Sequence, residues 1–556
     1  MVTTMTDAIL VAVPGWPLLL ACLASFVHTR RSARRLLVLA SLPALLVAVL
    51  MPGAQVRLHW VLLDSALVLD AMARAFLLAN AATWLAVAWL ARYRLQLAAS
   101  GRQLVLLLLA MTGNHAAILA GDALLFFAAV TLTGYSMYGL LIAGSAEADH
   151  RAFRPLVIWL VLGDLLLFEL LLLLAHTGGE VSFASLGLAF LSMESPWLLL
   201  LLVVTGLGVR AGLPGMHYWL RPAYRESAGH FLPVLAGFST LGVLGWWRIV
   251  PLGELYWPDA AGVLQLIAGF MLAALLLAAL VRREPRDLTA YPVYVLAVMW
   301  LGVLAACLAH PGSWATLAAA IPAVTVQALF ALVAVLLSSH ASQVDGSAVP
   351  AWLQWGALLV LAVTPAAVAA ALTTAGDGAA WLQMGAAAFL LAFIPVRMRV
   401  LSVRATEIEG LRAVADAARA YPPTTVATVF LLAAVVAAAY SLAGKPLQPV
   451  LLVFTCVIAG CLAGWASARI VLPGAPAAIA GGVSELAGFT RDRFRQYSGL
   501  LAGGVNGLLT SATHLRDRLL SISLPDRIDR YLSCWPNVML ALVLAGLAAG
   551  FLAAGS

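Results

Sequence analysis

The sequence is nearly without lysine. Of its 32 basic residues, one, Lys445, is lysine and the rest are arginine. Charged residues of both signs make up only 10% of the 556 residues, against about 25% in a soluble domain. A fold in water must keep a polar surface, and this chain has too little polar side chain to build one. Nor is there a Gly-x-x-x-x-Gly-Lys phosphate loop or a Cys-x-x-Cys pair. With no loop long enough for a nucleotide site either, no cofactor or metal is expected in this chain, and a soluble enzyme is excluded. The five cysteines (Cys22, Cys307, Cys456, Cys461 and Cys534) lie in or beside apolar segments and read as small buried hydrophobes. A net charge of +7 would fit a nucleic-acid binder. The arginines, however, sit in short loops between apolar runs, where basic residues mark a membrane surface.

What fills the sequence is apolar: 63% of residues are hydrophobic and the mean hydropathy is +0.99. Lipid, unlike water, accepts such a chain. About 20 mostly apolar residues cross a bilayer, and about 16 stretches meet that length. The first eight run over 7–27, 35–52, 66–91, 103–121, 122–144, 155–175, 196–220 and 229–250. The others run over 258–281, 289–309, 314–338, 351–373, 378–396, 422–442, 448–468 and 535–553. Met1–Val27 has no basic segment ahead of its apolar run, so it reads as a first span and not a cleaved signal. If the N-terminus lies outside, the inside segments are His28–Arg35, Arg92–Arg102, Ser145–Arg154, Leu220–Ser227, Arg282–Asp287, Arg397–Arg419 and Arg469–Arg530. These hold most of the arginines, as the positive-inside rule requires. The expected location is the cell inner membrane, multi-pass, N-terminus outside. Between Glu485 and Leu520, apolar residues recur at helical spacing among clustered charges such as Arg491-Asp492-Arg493. That pattern fits an amphipathic helix lying along the cytoplasmic surface. The predicted fold is all-α, with a broken seventh helix and a C-terminal amphipathic surface helix.

Ionisable groups inside spans are costly, and each is a functional candidate. The seventh span contains Gly208-Val-Arg210-Ala-Gly-Leu-Pro214-Gly-Met-His217-Tyr-Trp219. Pro214 lacks a backbone donor and is expected to break the helix near Arg210. A broken helix exposes carbonyls that can hold water or a cation. His217 lies about a turn beyond. Asp164 and Glu169 in the sixth span are each able to neutralise Arg210, since a buried cation needs a partner. Asp122 opens the fifth span. His115, beside Asn114 in the fourth, reads as a packed core histidine. The single lysine sits in a loop, and arginine stays charged. A proton wire built on lysines therefore cannot run through this interior.

At these residues the sequence resembles a known family: the antiporter-like membrane subunits of respiratory complex I, of hydrogenase-4-type membrane hydrogenases and of Mrp cation antiporters. Three stretches carry the resemblance. Gly121-Asp122-Ala-Leu-Leu-Phe-Phe-Ala-Ala-Val-Thr131 resembles the run into the family's fifth span. Arg210-Ala-Gly-Leu-Pro-Gly-Met-His217-Tyr-Trp219-Leu resembles its Lys-Ala-Gly-Leu-x-Pro-Leu-His-x-Trp-Leu-Pro motif. Thr240-Leu-Gly-Val-Leu-Gly245 resembles its eighth-span Lys-x-Gly-Val-x-Gly. The departures are systematic. The family's fifth-span glutamate reads Thr131, its seventh-span lysine Arg210 and its eighth-span lysine Thr240. Its eleventh-span His-Ala-x-Phe-Lys reads Gln327-Ala-Leu-Phe-Ala331.

The resemblance implies N-terminal helices over 1–100, an antiporter-like core over 101–340 and further spans over 341–468. A lateral segment over 469–534 and a final span over 535–556 complete it. It implies other membrane subunits as partners, together with a soluble peripheral subunit on the cytoplasmic face, the lipid bilayer and no nucleic acid. Three functions stay open: proton or cation translocation by a modified, lysine-free route; a scaffold that has lost pumping; and the membrane half of an inorganic-carbon-accumulating complex paired with a zinc carbonic-anhydrase-like protein.

Overall fold

The computed structural model describes residues 2–409 and 455–463, apart from 60–63, 95–100, 145–152, 179–181, 193–195, 217–219, 227–230, 283, 345–350 and 373–377. The chain begins with α1 (Val2–Ser25), then α2 (Arg30–Leu36) and α3 (Leu42–Leu50), which a short 3-10 turn joins into one apolar stretch. A hairpin of β1 (Ala54–Leu58) and β2 (Ser65–Leu69) follows, antiparallel with Ala54 opposite Leu69 and Leu58 opposite Ser65. Then come α4 (Ala71–Arg94), α5 (Gly101–Leu119), α6 (Ala123–Gly144), α7 (Arg154–Gly178), α8 (Phe183–Ser192) and α9 (Pro196–Ala211). The described chain continues through α10 (Leu220–Glu226), α11 (Leu232–Ile249), α12 (Pro258–Val281), α13 (Tyr291–Ala309), α14 (Trp314–Val344), α15 (Ala351–Ala371) and α16 (Gly378–Glu409).

Among the described residues, ten helical stretches are long and apolar enough to cross a membrane, and four shorter helices are apolar. Spans 422–442 and 535–553 and the amphipathic segment lie outside the described residues, as does most of 448–468, of which 455–463 is helical. Several boundaries differ from the sequence reading: α14 and α16 run on to Val344 and Glu409, past the expected span ends at 338 and 396, and two further differences concern the third and seventh spans. The third span starts at Ala71, because Ser65–Leu69 is a strand; a short apolar run carries no period that separates strand from helix. The seventh span stops as a helix at Ala211, well before Leu220.

The helices differ in how far they are buried. α5, α11 and α13 are buried along almost their whole length, while α7 and α12 expose Leu, Ile and Phe along one side. Lipid provides no hydrophobic drive between helices, so close packing and polar contacts must hold them. Gly242 and Gly245 show how close that packing is. A Cβ on Gly242 would lie 2.5 Å from the backbone nitrogen of Ala211, and one on Gly245 would lie 2.6 Å from Leu207. The Gly-Val-Leu-Gly stretch of α11 is therefore the seat of α9. Because the Ala211 backbone cannot rotate out of the way, Gly242→Ala is expected to lower stability by about 1–3 kcal/mol. Thermal unfolding of the purified chain in nanodiscs would measure it; an unchanged midpoint would refute the contact.

Candidate functional site

α9 has 16 residues, about 24 Å at 1.5 Å per residue. That falls short of a bilayer core of about 30 Å, so the helix alone does not cross it. Gly212, not Pro214, turns the chain. Its φ is +82°, in the left-handed region that glycine enters at no steric cost. The N–H groups of Gly212 and Leu213 both donate to the Gly208 carbonyl at 2.9 Å, closing the helix end as a glycine C-cap does. Pro214 follows and keeps the helix from resuming. Gly215, at φ +94°, turns it a second time. Beyond the break, α10 is fastened by Arg221 and Arg225, which reach Asp287 at 2.6 and 2.9 Å.

The break presents Arg210, which is fully buried. Its Nη2 donates to Oδ1 of Asp164 on α7, and its Nη1 to the Gly206 carbonyl at 3.4 Å. The same Asp164 oxygen accepts the Thr131 hydroxyl of α6 at 3.2 Å. Gly163 lets the pair meet: a Cβ there would lie 3.2 Å from the Gly206 carbonyl and 3.4 Å from Arg210 Nη1. Thr131 of α6 thus touches the carboxylate on α7 that pairs with Arg210. Asp164 Oδ2 and Arg210 Nε have no hydrogen-bond partner among the described residues, which leaves the pair one open acceptor and one open donor.

The other sequence candidates do not join this pair. Glu169 lies on the opposite, exposed face of α7, so of the two acids only Asp164 neutralises Arg210. Asp122 is a buried helix cap. It accepts the Leu125 amide at 2.8 Å, the Ala66 amide at 3.1 Å and the Ser65 hydroxyl at 3.2 Å, tying the start of α6 to β2. His217 lies outside the described residues. Gln327 is buried on α14 and donates to the Val360 carbonyl at 3.3 Å and to Thr364 of α15 at 3.4 Å, and Ala331 is packed core.

Thr240 belongs to a polar chain that runs between helices. Its hydroxyl donates to the Gly237 carbonyl at 2.7 Å and accepts from Asn80 Nδ2 at 3.1 Å. Asn114 donates to Asn80 Oδ1 at 3.4 Å, and the next residue, His115, lies 3.5 Å from the Ser41 hydroxyl. Thr240 also lines a cavity of about 40 Å³ with Ala211, Ser239, Val243 and Thr325. One water needs roughly 10–15 Å³, so two or three fit. Thr325 Oγ1, buried and without a partner among the described residues, faces this need for solvent. Neutral residues such as Asn80 and Thr325 escape a search for ionisable groups. Their signal is weaker: an amide or hydroxyl inside an otherwise apolar run.

No family model and no curated protein matches the sequence. Solved structures do. One chain of the Mrp complex from Dietzia sp. DQ12-45-1b superposes with a TM-score of 0.60 at 20% identity, over 84% of this chain and 98% of that one. The two chains share a fold. A chain of the membrane-bound sulfane sulfur reductase, an archaeal respiratory membrane complex, superposes with a TM-score of 0.50 at 13% identity. It covers 82% of this chain and 75% of that one. At such identities the likeness concerns the path of the helices, and agrees with the resemblance read from the motifs.

Proposed function

We propose that the chain is a membrane subunit of a multi-subunit complex that moves protons or cations by a lysine-free route. The observation that carries this reading is the buried Arg210–Asp164–Thr131 cluster at a helix break inside the membrane. A largely apolar cavity that carries the hydroxyls of Ser239, Thr240 and Thr325 begins at the next residue, Ala211. Arginine holds its proton, so Arg210 supplies a fixed positive charge. The exchanging group is then Asp164, whose second oxygen is buried and has no hydrogen-bond partner among the described residues, leaving it an acceptor for a proton, a water or a cation. An ion pair holds that carboxylate in place, and transport requires it to leave Arg210 and return. The structural likeness to chains of complexes supports partner subunits in the bilayer. The arginine-rich loops support an orientation with the N-terminus outside; an inner-membrane location and a soluble partner on the cytoplasmic face belong to the same reading.

The test is ion flux in proteoliposomes that hold the assembled complex. Asp164→Asn keeps the size of the side chain and its contact to Thr131. Because it also strands the Arg210 cation and lowers the yield of complex, flux is read per assembled complex, where it is expected to fall by at least about a hundredfold, as loss of an essential proton-transfer group does. Flux at the wild-type rate in that variant would remove Asp164 from the route. Absence of flux in the wild-type complex would leave the scaffold reading standing.

A further inference from the structure

We propose that the exposed stripe of α7 centred on Glu169 is the docking face for a transmembrane helix of another subunit, one that presents an arginine or lysine to Glu169. The stripe is Ile158, Leu162, Leu165, Phe168, Glu169 and Leu172, all exposed. They recur at three- and four-residue steps and so form one continuous helix face. Leu165 is 60% exposed and Leu172 51%, so the face is open on both sides of the acid.

Depth makes the glutamate informative. The apolar span runs Pro155–His176, and Glu169 lies seven residues before its end, about 10 Å inside at 1.5 Å per residue. A glutamate has only two methylenes and cannot carry its carboxyl that far to the headgroups, as a longer arginine or lysine does. No hydrogen bond or ion pair of Glu169 occurs among the described residues. An unmet carboxyl facing hydrocarbon costs several kcal/mol. The exposed side of α12 shows what a lipid-facing surface looks like in this protein. There Val263, Leu266, Ile267, Phe270 and Leu277 are exposed, with no ionisable residue between them. The two open faces therefore differ in chemistry: one is apolar throughout and the other carries a charge-bearing group at its centre. A neighbouring helix with a cation at that level satisfies the carboxyl and covers the leucines together. The partner class rests on the chain being part of a membrane complex, but not on its moving ions.

The experiment is photo-crosslinking in native membranes with the full complex. A benzophenone amino acid is placed at Leu165 or Leu172, and at Leu266 on α12 as the control. The expected result is one discrete adduct from α7, to a transmembrane peptide of another subunit that contains arginine or lysine, and lipid adducts only from Leu266. The second measurement is a charge swap. Glu169→Arg is expected to lower the yield of assembled complex about tenfold while the chain itself still inserts. Changing the crosslinked basic residue of the partner to glutamate should restore the yield. Lipid adducts alone from α7 would overturn the proposal. So would adducts to a second copy, adducts to residues 410–454 or 464–556 of the same chain, a partner helix with no cation, or failure of the swap. Because neither readout uses transport, these outcomes are separate from loss of flux in the Asp164 variant.

Discussion

Arg210→Ala is expected to destabilise the chain by about 3–5 kcal/mol, the range for removing one member of a buried ion pair. The size of the effect comes from what is left behind. Among the described residues, Asp164 would keep only the Thr131 hydroxyl as a donor, with its Oδ2 already buried and unpaired. It would be a buried carboxylate with no counter-charge. The pair as a whole is worth far less than either member's removal costs, because both groups lose their hydration when the helix forms around them. Arg210→Met combined with Asp164→Leu should therefore regain most of the lost stability, since the double variant fills the space and buries no charge. Thermal midpoints of the wild type, Arg210→Ala and the double variant in nanodiscs measure both effects. If Arg210→Ala melts with the wild type, the pair is not the buried contact described. If the double variant is stable yet carries no ions in the assembled complex, the pair serves transport and not folding.

The same pair shows how far the sequence could be read. That spans would be helical followed from the apolar runs alone, since a lipid-exposed backbone must satisfy its own hydrogen bonds. That Arg210 needed an acid followed from its depth. Which acid did not follow. Asp164 and Glu169 lie in a run of leucines that is apolar on every side, so no hydrophobic face marks which way either points. They are five residues apart, and on a helix of 3.6 residues per turn that sends them to different faces. Only the packing of Gly163 against Gly206 tells them apart, and a contact between two helices is not written in either one. Asp122 was opaque for a related reason. A capping aspartate and a transport aspartate look alike until the strand it ties, Ser65–Leu69, is known. The helix α8, of 10 residues, fell below the length that a membrane ruler detects. The break after Arg210 was legible in position, because glycine and proline cluster there. Its cause was not, since Gly212 and Pro214 both stop helices and only φ separates their roles.

The contact from Thr131 to Asp164 gives the second large prediction. The resemblance read from the sequence would set Thr131 where the family carries a glutamate, and its hydroxyl lies 3.2 Å from the Asp164 carboxylate that neutralises Arg210. The negative charge has one place in this site, reachable from either helix. Thr131→Glu alone should be strongly destabilising, because it sets two carboxylates against one guanidinium where like charges repel with little screening. Thr131→Glu with Asp164→Thr returns the acid to α6 and keeps the count at one acid and one arginine. It should recover assembly to near the wild-type level, whereas Asp164→Thr by itself strands the Arg210 cation and loses stability on the scale of about 3–5 kcal/mol. Yield of the assembled complex on native gels, with melting in nanodiscs, tests all three variants. Equal loss in Thr131→Glu and in the exchanged pair would show that the acid must come from α7, and that its place there is not interchangeable with the position on α6. Recovery in the exchanged pair alone would mean that the site demands one carboxylate beside Arg210 and is indifferent to the helix that supplies it. The remaining question then becomes functional: an acid on α6 approaches the fixed arginine from a different side, so flux through the exchanged variant reports whether α7 matters for the movement of the charge as well as for its presence.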